Sequence, residues 1–210
     1  MSFCHKIKKK VFLMLSFKIS TLCAIIALGG MMASCNRGAN IPPPAIFATD
    51  VFPPLAINAR SLKIIDNWQM PIADPYVGHR VNPLPSNVLA DWASHVLNPA
   101  GGSGEIIFDM KRVAITMTDL QKKVGINDLF LDQQSKKITT EIGAQIIWLQ
   151  PVGGAQARID LDASHSITIQ ESANPNEVNL KTHESMKGAL VRLDRQVRKE
   201  LAIIDRIILP

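Results

Sequence analysis

The sequence predicts an α+β fold, a two-layer sandwich in which two helices cover one face of a sheet of about four strands. Three patterns predict it. Apolar and polar residues alternate through 138–148 and again through 157–169, and 151–155 between them suit a turn. Apolar residues recur at helical spacing in 88–97 and in 186–204. The expected order is strand, helix, strand, strand, strand, helix.

The first half of this order begins with a strand at residues 55–65, whose alternation slips once. A proline-containing loop then leads to a helix that starts near Ser86 or Asn87 and ends before Asn98-Pro99. After a glycine turn, the strand from Ile106 to Met117 changes register at Lys111-Arg112, which predicts a β-bulge.

The second half begins with a short helical turn and a loop expected over 120–135, and the hairpin follows. One face of the second hairpin strand is polar, so helices should cover only the other face. Asn174-Pro175 predicts the start of a long C-terminal helix. Its polar face carries mostly basic side chains: Lys187, Arg192, Asp194, Arg195, Arg198 and Lys199.

The positive charge of the chain lies at its N-terminal end. Five of the 23 Lys and Arg precede Cys35, where there is no Asp or Glu, so 18 basic residues face 18 acidic ones beyond it. The mature chain is therefore formally neutral, and its charge gives no reason to expect a nucleic-acid partner. Cys4 and Cys23 also precede Cys35, which excludes a disulfide framework within the mature chain.

Residues 1–34 have the order of a secretory signal, with a lysine-rich start, an apolar run from Ile19 to Met32, and small residues before Cys35. Met32-Ala33-Ser34-Cys35 resembles the lipobox of bacterial lipoproteins. The resemblance implies cleavage between Ser34 and Cys35 and a diacylglycerol thioether on Cys35. Two or three acyl chains anchor stably, because each buried methylene contributes about 0.8 kcal/mol.

Two other interpretations of this segment remain open. Residues 11–34 are long enough for a transmembrane helix, but Lys18 interrupts them. The second interpretation is a plain secretory signal, with a cysteine near its end by chance. Met14 followed by Lys18 would also make a compact signal, so translation could start at Met1 or at Met14.

Residues 35–54 are predicted to be a lipidated tether, because their prolines oppose helix and sheet, and residues 55–210 a single domain. Ile46, Phe47, Val51 and Phe52 indicate that part of the tether packs on the domain. Asn36 follows the cysteine where enterobacterial lipoproteins kept in the inner membrane have aspartate. That resemblance favours the periplasmic face of the outer membrane.

Few residues suggest chemistry. His165 lies in an apolar strand row and could serve as a base or ligand, although a packed histidine is the more common outcome. Asp160 and Asp162 share a strand face and could bind a cation, although alternation alone would expose them. His79, His95 and His183 lack metal-site spacing, and the glycine-rich residues 101–104 lack the Lys-Ser/Thr of a phosphate loop. No catalytic residue, metal or cofactor is predicted.

By element order alone, residues 35 to about 205 resemble two groups of Gram-negative envelope lipoproteins. These are the lipopolysaccharide-assembly lipoproteins and the auxiliary lipoproteins of ABC-type lipid transport systems. The resemblance carries over no functional residue beyond Cys35. It implies a non-enzymatic protein that binds lipid or a protein of an envelope transport or assembly complex. The alternatives are a lipid-tethered periplasmic hydrolase using His165 or His79, and a self-associating envelope subunit.

Overall fold

The computed structural model describes residues 49–121 and 134–210, which form six strands and two α-helices. Two 3-10 turns, Thr49–Val51 and Gly78–Arg80, precede the first strand and the first helix. In chain order the elements are β1 (Leu55–Ile57), β2 (Ser61–Asp66), α1 (Pro85–Val96), β3 (Leu97–Pro99), β4 (Glu105–Asp119), β5 (Gln134–Gln150), β6 (Ala155–Gln170) and α2 (Pro175–Ile203).

The main sheet has four strands in the order β2-β4-β5-β6, with β2 parallel to β4 and the other pairs antiparallel. Both helices pack on one face of it. Trp92 of α1 contacts Phe108 of β4 with ring centroids 5.8 Å apart, and Ser185 of α2 is hydrogen-bonded to Thr140 of β5. The predicted two-layer α+β fold is confirmed.

The β5–β6 hairpin divides its residues between the two faces as the alternation predicts. Ile159, Leu161 and Ala163 of β6 are buried beneath the helix layer, while Asp160 and Asp162 between them are exposed. The outer face of the sheet therefore carries no helix among the described residues, as the sequence indicates.

The predicted bulge in β4 is present. Met110 pairs with Ala144 and Arg112 pairs with Gly143, so Lys111 is the extra residue. The bulge reverses the alternation, which lets Met110 and Val113 both point into the core although they are three residues apart.

The first predicted strand, residues 55–65, is two strands in the structure. They belong to different sheets, and the break between them lies where the alternation changes. Residues 55–57 form β1, which pairs in parallel with β3 in a separate two-stranded sheet, and only β2 joins the main sheet. The C-terminal tail packs on β1: Leu209 donates its N–H to the carbonyl of Ala56, and Ile207 is fully buried.

Both helix starts agree with the sequence. Pro85 opens α1, where its missing N–H costs nothing, and the side chain of Asn174 accepts the N–H of Glu177 at 3.0 Å at the start of α2. The short helical turn expected over 120–135 falls almost entirely outside the described residues. At its borders, the N–H of Leu120 donates to the carbonyl of Ser135.

Candidate functional site

A groove of about 430 Å³ lies between α2 and the outer strand β6. It is open to solvent along the polar face of the helix. Three basic side chains line it, Lys187, Arg192 and Arg195, together with the acidic Glu184. His165 and Val191 complete the side chains of the lining.

His165 reaches this groove because Gly188 leaves room for its ring against the helix. A Cβ atom added at Gly188 would come within 2.1 Å of the ring carbon Cδ2. Among the described residues no partner bonds the buried Nδ1 of His165. The imidazole therefore packs between β6 and α2, but the expectation of a histidine with its hydrogen bonds satisfied is not met at Nδ1.

The charge of the groove is positive. Its one carboxylate, Glu184, is paired with Lys181 at 2.9 Å, and the hydrogen bond to Glu184 raises the pKa of Lys181. Arg192 donates Nη1 to the carbonyl of Ser164 at 2.7 Å, which leaves its charge without a counterion in the described chain. Lys187 and Arg195 likewise form no ion pair with any described residue.

Asp194 does not lie on the exposed face with the basic residues, so that part of the sequence prediction is wrong. It is 8% exposed and accepts hydrogen bonds from Trp92 Nε1 at 3.3 Å and from Arg198 Nε at 2.8 Å. The indole and the guanidinium compensate the burial of the carboxylate, since a buried charge is tolerated only with partners. The hydrogen bond between Trp92 and Asp194 joins α1 to α2.

Arg198 also holds the segment before β1. Its Nη2 donates to the carbonyl of Pro53, and His95 of α1 is hydrogen-bonded to the carbonyl of Phe52 at 3.0 Å. The Phe52 side chain is 8% exposed and belongs to the core. Of the four apolar residues that suggested packing, Phe52 is packed on the domain and Val51 is exposed, while Ile46 and Phe47 lie outside the described residues.

The remaining histidines are held at three other places. His79 accepts a hydrogen bond from Arg80, and His95 bonds the Phe52 carbonyl. His183 lies within α2, where its ring nitrogens meet the carbonyls of Asn179 and Asn82 at 2.9 and 3.1 Å. No group of His, Cys, Asp and Glu within residues 49–121 and 134–210 is arranged to hold a metal ion.

Asp160 and Asp162 lie on the open face of the sheet, where they contact neighbouring strands. Gln145 donates to Asp160, and Arg112 lies 3.6 Å from Asp162, whose side chain is 76% exposed. Each carboxylate therefore has a separate partner in a solvated row, which agrees with the interpretation as an exposed strand face.

The glycine-rich residues 101–104 form a turn with a structural role. Gly101 donates to the carbonyl of Ala59, and Ser103 donates to Gln150 Oε1 at 2.6 Å. A Cβ at Gly101 would lie 2.7 Å from the backbone nitrogen of Ala59, so glycine permits this close approach. The turn fixes the start of β4 beside the loop between β1 and β2.

The chain matches no protein-family model and no curated protein. None of the helices in the described part of the chain is long and apolar enough to cross a membrane. Ser34 and Cys35, the predicted cleavage and lipidation residues, lie outside the described residues.

Sequence reasoning missed two features of the site. It assigned Asp194 to the polar face because of its charge, although its spacing from Leu190 and Val197 is that of the apolar face. The indole that bonds Asp194 comes from a helix about 100 residues earlier, which the sequence does not indicate. It also did not identify the groove. The glycine within the polar face of α2 was the available signal, since glycine inside a helix often marks a close contact.

Proposed function

We propose that the chain is a lipoprotein of the bacterial envelope, anchored through lipid on Cys35, with a non-catalytic domain that binds a partner or lipid of a transport or assembly complex. The observation that carries the proposal is the sequence Met32-Ala33-Ser34-Cys35 at the end of an apolar run. The periplasmic face of the outer membrane is the favoured location, because Asn36 follows the cysteine.

Two further observations support the anchor. The residues after Cys35 are formally neutral as a set, in contrast to the basic leader, as expected where a signal is removed from a mature protein. The segment after the predicted lipid is fastened to both helices through Phe52 and Pro53. An anchor at Cys35 would therefore be connected to the domain through a segment that contains a core residue, Phe52.

The experiment replaces Cys35 with serine in the full chain, expressed in a Gram-negative host fed with a labelled fatty acid. We expect the unmodified chain to carry the label and to fractionate with membranes. Cys35→Ser should lose the label and retain its leader, because lipidation precedes cleavage in lipoprotein processing.

Cys23→Ser is the matched control, since Cys23 lies in the leader predicted to be removed. It should label and fractionate like the unmodified chain. Equal labelling of Cys35→Ser and the unmodified chain would exclude lipid on Cys35. If the chain with Cys35 intact were itself unlabelled, uncleaved and bound to membranes, a transmembrane helix in residues 11–34 would be favoured.

A further inference from the structure

The outer face of α2 concentrates positive charge in a chain whose mature part is neutral. Lys187, Val191 and Arg195 follow one another at intervals of four residues and so lie in one row along the helix. Arg192 and Lys199 flank this row. Within the described residues, none of these four cations has an ion-pair partner.

Apolar side chains are exposed on the same face. Leu180 is 50% exposed and Val191 is 38% exposed, and both fall within the helical sector that contains Lys187 and Arg195. Exposed aliphatic residues among Lys and Arg are typical of helices that lie at a membrane interface, where the cations meet headgroups and the aliphatic groups enter the boundary.

The contact between α2 and the segment that precedes β1 is the second observation. Arg198, which binds the Pro53 carbonyl, lies three residues after Arg195, or about one helical turn along α2. Pro53, within the segment that precedes β1, therefore meets α2 near the C-terminal end of the cationic row.

We propose that the outer face of α2, from Leu180 to Lys199, docks on a surface of anionic phospholipid headgroups. The cations extend over about 18 Å of helix between Lys187 and Lys199, at 1.5 Å per residue. A headgroup surface along this row would meet Lys187, Val191 and Arg195 together, with Arg192 and Lys199 at its edge. The proposal deepens the proposed function, because it names the lipid class that the anchored domain meets, but the docking itself needs no lipid on Cys35.

The test uses the mature-length chain, residues 35–210 with Cys35→Ser. This chain contains every buried core residue of the described part, from Phe52 to Ile207, and a cooperative urea transition checks that it is folded before the binding assay. The chain is sedimented with vesicles of phosphatidylcholine alone, or with 30% phosphatidylglycerol added, at low ionic strength. We expect binding to the anionic vesicles only, and its loss at high salt.

The diagnostic variant is Lys187→Gln with Arg195→Gln. A cation close to an anionic bilayer contributes about fivefold to the partition coefficient, so the double change should lower binding about 25-fold. The matched control is Lys63→Gln with Arg158→Gln, two exposed cations of the sheet face opposite the helices. It removes the same charge and should leave binding unchanged.

Three results would overturn the proposal. Absence of binding to anionic vesicles is the first, and an equal loss in both double variants is the second, since that would indicate net charge and no defined face. In the third, inorganic phosphate at constant ionic strength displaces the vesicles, which would indicate a pocket for a single anion. If the first result were accompanied by capture of an acidic peptide, the face would be assigned to a protein partner. A failure of Cys35 labelling leaves these outcomes unaffected.

Discussion

Gly188 shows how one residue without a side chain decides the contact between a helix and a strand. Glycine in the middle of a helix costs about 1 kcal/mol relative to alanine, so its presence within α2 needs a packing reason. The reason is the ring of His165, which occupies the place of the missing Cβ.

Gly188→Ala should destabilise the domain by up to about 2 kcal/mol, because overpacking costs up to about 3 kcal/mol and the gain in helix propensity returns about 1 kcal/mol. Urea unfolding of residues 35–210 with Cys35→Ser measures this change. In a His165→Ala background the same substitution should become stabilising. A rise in stability from Gly188→Ala alone would contradict the contact.

Single residues also mark the limit of sequence interpretation. Asp194 stands among basic residues and is charged, yet it follows Leu190 by four residues and is buried with that side of the helix. Its burial depends on Trp92 and on the approach of α1 to α2, which is a property of the tertiary structure. By contrast, the burial of Ile159 and the exposure of Asp160 follow from the strand period alone, which is why the sequence predicts both.

At the scale of elements, β6 is an edge strand of the main sheet and would expose a row of unpaired backbone groups. Two side chains of α2 occupy part of this row. Arg192 donates to the carbonyl of Ser164, and Gln196 accepts the N–H of Asp162 at 3.2 Å. The helix therefore covers the middle of the edge.

Replacing Arg192 and Gln196 together by alanine should free this part of the edge and promote pairing between copies of the chain. Light scattering coupled to size-exclusion chromatography would report larger species that increase with concentration. Lys199→Ala, which removes a cation of the same helix without touching β6 in the structure, should behave like the unmodified chain. An unchanged mass for the double variant would mean that these bonds do not protect the edge.

Elements of different length were predictable to different degrees. The long strands β4 to β6 and the long helix α2 repeat their pattern many times, so the period and even the bulge at Lys111 can be predicted from the sequence. β1 and β3 have three residues each and pair in parallel across an intervening helix. Three residues are too few to define a period, and their pairing depends on the fold around them.

At the scale of the whole molecule, the start of the domain is set by Phe52. Its neighbour Val51 is 62% exposed, whereas Phe52 is 8% exposed. Phe52→Ala should lower the free energy of unfolding by about 2 to 4 kcal/mol, as for other buried aromatic residues at the border of a core. Val51→Ala should change it by less than about 0.5 kcal/mol. Similar values for the two variants, measured by urea unfolding, would mean that the segment does not belong to the core.

The attachment of Phe52 and Pro53 has a consequence for how weakly the domain can bind and still act. With lipid on Cys35, the chain between the anchor and the described domain would be residues 36–48, which can span at most about 45 Å. Any target in the same patch of membrane would then meet the domain at an effective concentration on the order of millimolar. A much higher dissociation constant than a freely diffusing pair needs would then be enough for occupancy. Functional contacts of the domain need not be strong enough to survive purification.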